Sequence, residues 1–179
     1  MPKKPTTTRE EMIDGAFELV RTEGHQALTV RSLAAKLGCS TQPIMYQFPN
    51  IDELKDLVYE KADLFHTQYL TQTEDFLEIG LRYVRFAHEE RNLFRFLFQS
   101  GRFDGKNMRE LIRDENVQQL IASAASELEM NREQAADAFE ALFAMVHGYG
   151  ALVADNALEY DQEAIRRALI KVAQGMMKG

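Results

Sequence analysis

All four prolines of this 179-residue chain, Pro2, Pro5, Pro43 and Pro49, lie within its first 49 positions. The rest of the chain contains none. Proline inside a helix removes a backbone donor and clashes with the preceding turn, so a long proline-free stretch is free to form long helices. Apolar residues there recur three and four apart, and no alternating run is long enough for a strand. Helix-start signals recur as well. Thr8 and Glu11, Asn50 and Glu53, Asn107 and Glu110, and Asn131 and Gln134 each pair a cap residue with a Glu or Gln three positions on, the pattern of a capping box. Asp161 stands where the last helix would begin. The expected fold is all-α, with helices near 9–23, 29–37, 41–48, 51–73, 76–90, 93–99, 107–129, 132–157 and 161–177. The fourth is expected to join two domains without a flexible linker.

The densest signal is Thr29–Phe48, TVRSLAAKLGCSTQPIMYQF. Thr29 is a cap residue, and Leu33, Ala34 and Leu37 share one apolar face. Gly38 suits a left-handed helix stop. Ser40 is expected to cap the next helix, and Pro43 falls in its first turn, where a missing N–H costs nothing. Pro49 disfavours helix at Phe48. Two helices joined by a short glycine turn form a helix-turn-helix, whose second helix enters the DNA major groove. Ile44 and Phe48, four apart, would point inward. Thr41, Gln42, Pro43, Tyr46 and Gln47 are left facing out. Glutamine can donate and accept at once, which suits adenine in the major groove, and Pro43 and the Thr41 methyl can pack on thymine. Thr29, Arg31 and Ser40 sit at helix starts, where backbone amides attract phosphate. A solvated polar face with no DNA role is the competing expectation.

The order T-V-R-x-L-A-x-x-L-G-x-S, followed by a polar helix, an aromatic residue, a turn and an acidic helix start, resembles the tetracycline-repressor (TetR) family. Ile13, Ala16, Phe17, Val20 and Glu23-Gly24 resemble that family's first helix and its stop. Two positions depart from the family pattern. Met45 stands where tyrosine is common, with Tyr46 next along, and a one-residue shift turns a side chain about 100° around a helix. Ile51 stands where lysine is common, with Lys55 one turn later. The resemblance implies a three-helix helix-turn-helix DNA-binding domain over residues 1–50, the motif itself at 29–48. It implies a larger helical-bundle domain over 51–179 for ligand binding and dimerisation. The expected DNA-binding residues are Thr29, Arg31, Ser40, Thr41, Gln42, Pro43, Tyr46, Gln47 and Lys55.

Net charge is −7, which by itself disfavours nucleic acid, but its distribution is uneven. Residues 1–50 carry six Lys/Arg against five Asp/Glu, a balance of +1, while the remainder carries 15 against 23, a balance of −8. Glu10, Glu11, Asp14, Glu18 and Glu23 all fall on the first helix, which leaves Lys3, Lys4, Arg31 and Lys36 for DNA. So few cations give weak, salt-sensitive binding to a monomer, and a dimer doubles the phosphate contacts. The lone Cys39 excludes an internal disulfide framework and reads as a small core residue in the turn. No apolar run would span a bilayer and no signal peptide opens the chain, so the cytoplasm is expected.

The rest of the chain is rich in aromatics. Leu93–Phe98 (LFRFLF) is apolar on nearly every side, as expected of a short helix that is buried or borders a cavity. Residues 80–98 and 142–153 resemble a regulatory-domain subgroup of the same family known for a Trp-His-Gly signature; this chain has Val146-His147-Gly148. Gly148 and Gly150, inside a helical run, suggest close packing or ligand approach. The expected ligand-binding residues are Phe65, Tyr83, His88, Phe96, Phe103, Met145, His147 and Tyr149, although His147 also fits a satisfied core histidine and His88 the end of a surface helix. In the last two helices, Ala135, Phe139, Leu142, Val146, Tyr149 and Val153 form one apolar stripe, widened by Ala138 and Phe143, and Ile165, Ala168, Leu169, Val172, Ala173 and Met176 form another. Stripes this wide suit a homodimer through those helices.

These features describe a DNA-binding transcriptional regulator, a repressor, acting as a homodimer on a pseudo-palindromic double-stranded operator and answering to a small, largely apolar effector. No cofactor, metal site or membrane partner is expected. An enzyme is not expected either, for want of a His-x-x-x-His, a glycine-rich phosphate loop or a Gly-x-Ser-x-Gly. The alternatives are a helical protein-interaction module and a cofactor-free helical enzyme.

Overall fold

A computed structural model of the chain describes residues 7–102, 113, 115–127 and 130–176. The regular structure among those residues is all helical, with no strand. In order they form α1 (Arg9–Glu23), a single 3-10 turn (His25–Ala27), α2 (Val30–Leu37), α3 (Thr41–Gln47), α4 (Ile51–Leu70), α5 (Phe76–Glu89), α6 (Arg91–Gln99), α7 (Glu115–Glu127), α8 (Arg132–Ala154) and α9 (Gln162–Met176). The expected Asn107 cap and the ligand candidate Phe103 lie outside the described residues, as do Lys3 and Lys4. Two compact units divide the chain, Met1–Thr67 with Glu90–Arg102, and Gln68–Glu89 with Phe103–Gly179.

The helix starts show which cap signals work. Thr8 and Glu11 form a full capping box, as do Asn131 and Gln134. Asp161 accepts from the Ala164 N–H at 3.0 Å. Asn50 behaves differently from its expected box. Its side chain accepts from the Asp52 N–H at 2.9 Å, while the Glu53 carboxylate turns to the Arg9 guanidinium at 2.8 Å. A charge-assisted bond to arginine is stronger than one to a backbone amide, so Glu53 leaves the cap.

Helix ends differ from the expectation where the stop lacks glycine. α8 closes at Ala154 rather than near 157, because Asn156 takes a left-handed conformation at φ 56°. The Asn156 N–H bonds Val153 O and the Ala157 N–H bonds Leu152 O, which satisfies the last carbonyls in the Schellman manner. α4 stops at Leu70 rather than 73, and Asp75 caps α5 by accepting from the Glu78 N–H at 2.8 Å.

In the first unit α1 packs on α2 and α6, and α2 packs on α3. Met12, Ala16, Phe17 and Val20 of α1, Leu33 and Ala34 of α2, and Leu93, Phe94, Phe96 and Leu97 of α6 are buried. Aromatic rings meet edge-on at Phe17–Phe65 and Tyr59–Phe96. Arg21 grips the Glu90 carboxylate through two nitrogens, and Asn92 donates to the Arg21 carbonyl at 3.0 Å. The buried LFRFLF helix thus belongs to this unit. In the second unit α8 packs against α5, α7 and α9. Ile121, Ala135 and Phe139 are the buried centre of a cluster that Phe76, Val117, Ala125, Met130, Ala136 and Phe143 surround.

Candidate nucleic-acid interface

The start of α2 is built from two short hydroxyl side chains. Thr29 Oγ1 accepts from the Ser32 N–H at 3.1 Å, and Ser32 Oγ accepts from the Thr29 N–H at 3.0 Å. This is a capping box with serine in the usual glutamate place, so a search for Glu or Gln three residues on passes over it. α2 ends at Gly38, whose φ of 62° is left-handed. The Gly38 and Cys39 N–H groups then reach back to Ala35 O and Ala34 O. α1 crosses α2 closely at Gly15, where a methyl group would come within 2.8 Å of a Leu37 methyl.

α3 is held through very few side chains. Ile44 is 0% exposed and Phe48, just past its end, is 1% exposed. The Arg9 guanidinium lies 4.8 Å above the Phe48 ring while pairing with Glu53, which fastens α1 to the segment entering α4. On the other face Tyr46 is 84% and Met45 59% exposed. Gln42 and Gln47 are exposed, and Thr41 and Pro43 are half-buried. Every residue expected to face out on α3 thus keeps some exposure, as does Met45. Two expectations change. Ser40 occupies the cap position of α3, but its side chain makes no cap hydrogen bond. Cys39 is half-buried rather than enclosed, since the turn lies at the unit's surface.

Several cations of this unit are paired with carboxylates. Lys61 pairs with Asp14 at 2.5 Å, Arg9 with Glu53, and Arg102 with both Asp52 and Asp56. Lys55 reaches Asp52 at 3.3 Å. Arg31 and Lys36 are exposed on α2 and form no ion pair among the described residues. Thr29 and Lys55, far apart in sequence, line one cleft together with His25, Phe96 and Arg102. Burial first, then the charges of Lys55 and Arg102, pushes the His25 imidazole below its ordinary pKa.

The expected ligand residues divide between the units. Phe65 and Phe96 lie in the first, and Tyr83, His88, Met145, His147 and Tyr149 in the second. Within the second unit the Tyr83 hydroxyl and His147 Nδ1 are 2.9 Å apart, and the Phe143 ring stacks on His147 and meets Tyr83 edge-on. Burial lowers the His147 pKa. Met145 and Tyr149 are half-buried on the same helix. His88 is exposed and stacks instead on Tyr160, with ring centres 4.6 Å apart. Of the two expectations for Gly148, close packing and ligand approach, the first is not met. A methyl group there would meet nothing within 4 Å, so close packing in the single chain does not explain this glycine, whereas Gly150 is buried. Among the described residues no group of three or more His, Cys, Asp or Glu side chains could hold a metal ion. None of the described helices is long and apolar enough to cross a membrane.

A family model for the tetracyclin repressor-like C-terminal domain matches residues 76–173, more than half of the chain. The HTH-type transcriptional repressor DrrR1 of Streptomyces coeruleorubidus is 32% identical over 59 residues, 33% of this chain and 22% of that protein. The chain thus spans about a fifth of the length of the curated relative it matches. The all-helical fold and the match across α5 to α9 agree, and the chain belongs to the tetracyclin repressor-like family.

Proposed function

We propose that this chain is a cytoplasmic, non-enzymatic transcription regulator, a repressor, that binds a pseudo-palindromic DNA operator as a homodimer. The observation that carries this reading is α3, a helix anchored by Ile44 and Phe48 whose other face offers Gln42, Tyr46 and Gln47 to solvent. A dimer would set two such helices in successive major grooves, with half-sites about one helical turn apart. Arg31, Lys36 and the start of α2 supply the phosphate contacts. Dimerisation through α8 and α9 is supported by Leu152 and Ile170, 48% and 37% exposed, and by the open space at Gly148. The effector is small and largely apolar. The Tyr83–His147 pair among aromatic rings gives it a polar point of attachment, at the stretch that resembles the Trp-His-Gly subgroup. An effector that prefers one spacing of the two DNA-reading heads would shift DNA affinity by linkage.

Selection of bound duplexes from a random DNA pool at near-physiological salt tests the reading. A palindromic motif should emerge and be lost with Tyr46→Ala/Gln47→Ala. Replacing Gln42 or Gln47 by alanine should reduce discrimination against mismatched sites by about 1–3 kcal/mol. Absence of any enriched motif, or equal binding to random and selected duplexes, would favour a protein-interaction module. Sedimentation as a monomer at micromolar concentration would remove the dimer.

A further inference from the structure

The first unit holds a half-open cleft of about 480 Å³ that the α3 surface does not include. Its apolar floor is Leu28 and Phe96, both almost fully buried. Its polar lining includes Lys55, Arg102, His25 and Gln26, and among the described residues no Asp or Glu lines it. Asp52 and Asp56 hold the two cations without lining the cleft, and they are far more exposed than the cations they hold. The carboxylates orient the two cations. Burial first, and then the charges of Lys55 and Arg102, disfavours protonation of His25. The site is braced as well. Ser100 donates to the Phe96 carbonyl at 2.6 Å and accepts from the Arg102 N–H, which fixes where Arg102 begins, and the His25 ring stacks on Phe96.

We propose that this cleft binds an anionic oxygen group, phosphate or carboxylate, between Lys55 and Arg102. Such a group would bridge the His25–Ala27 turn, which leads directly into α2, to the end of α6. The occupant's chemistry is the same whether it comes from a free small anion or from the phosphodiester backbone of DNA. The assignment goes beyond the proposed operator reading and does not need it, because inorganic phosphate alone is a sufficient probe.

The test is a titration of the full chain with inorganic phosphate at constant ionic strength, followed by the ring resonances of its four histidines. His25 should shift saturably while His66, His88 and His147 stay in place. Arg102→Gln and Lys55→Gln should each weaken the midpoint about tenfold, as expected for loss of one charge-assisted hydrogen bond. Arg167→Gln, on the exposed side of α9, should leave it unchanged. A linear shift that chloride reproduces, or a midpoint indifferent to both cleft variants, would overturn the proposal. A duplex of random sequence identifies the source. If the DNA backbone is the occupant, duplex and phosphate compete at His25, and the salt slope of duplex binding falls by about one in Arg102→Gln. If the occupant is a free anion, phosphate still shifts His25 and the duplex slope is the same in both proteins.

Discussion

α3 and α8 carry the functional reading, and they meet opposite demands. α3 has seven residues, and Ile44 is its only fully buried side chain. α8 has 23 residues and buries seven, from Ala135 to Ala154. A short helix docked through one residue leaves most of its side chains in solvent, where residue type alone indicates what they can touch. A long helix packed against three others uses most of its apolar residues for packing, so the same residue types do not separate a core from a pocket or a subunit contact. The contrast predicts that stability and binding should respond to different residues within α3, but should be entangled along α8.

The sharpest break in this comparison is within α3 itself. Ile44→Ala should cost about 2–5 kcal/mol, measured by urea unfolding, because it empties a fully enclosed site. Tyr46→Ala, two positions on, should change stability by no more than about 0.5 kcal/mol and still weaken operator binding. Comparable destabilisation by both variants would mean that α3 is buried on the face assigned to DNA.

A second contrast lies between two histidines. His66 in the first unit is buried with its ring edge-on to Phe98, and burial pushes its pKa from 6.5 down to about 4. His147 in the second unit is half-buried and bonded to Tyr83, and burial lowers its pKa as well. A lowered folded pKa means that the unfolded chain binds the proton first. Stability is then retained above the unfolded value and declines as pH falls from about 6.5 toward 4. For His66 the full decline is up to about 3 kcal/mol. Unfolding free energies measured across that window should fall, and His66→Asn should flatten the fall more than His147→Asn does. An equal slope in the His66 variant would show that this ring is not the titrating group.

The residues that announced the fold were those with local, stereochemical work. Gly38 takes the left-handed turn expected of it, and Thr8 and Asn131 close the boxes expected of them. The outward set on α3 was legible for the same reason, since Ile44 and Phe48 four apart define an inner face. Three kinds of information were not local. Asn156 ends α8 because a whole set of carbonyls must be satisfied, and asparagine gives a weaker signal than glycine. Glu53 abandons its cap because Arg9, 44 positions earlier, folds against it. Phe65 and Phe96 looked equivalent to Tyr83 and His147 as aromatic lining, yet helix packing assigns them to the other unit. Periodicity shows that a face is apolar but not which helix it meets.

The smallest effect sharpens the comparison most cleanly, because each unit contains a capping box that one substitution can open. Thr29→Ala removes the acceptor of the Ser32 N–H, and Asn131→Ala removes that of the Gln134 N–H. Each should cost about 1 kcal/mol of stability, the usual worth of an N-cap side chain. Only the first should also change DNA affinity. Thr29 caps α2, whose start with Arg31 is the phosphate-binding end in the proposed reading; α8 begins far along the chain in the other unit. Urea unfolding and duplex titration of both variants, with Thr29→Ser as a cap-preserving control, separate the two contributions. Thr29→Ser should restore both stability and binding if the helix start itself grips the backbone. Binding that is unchanged in Thr29→Ala would move the phosphate contact off the start of α2 and onto Lys36 and the α3 face, because a loosened α2 terminus would then cost stability alone.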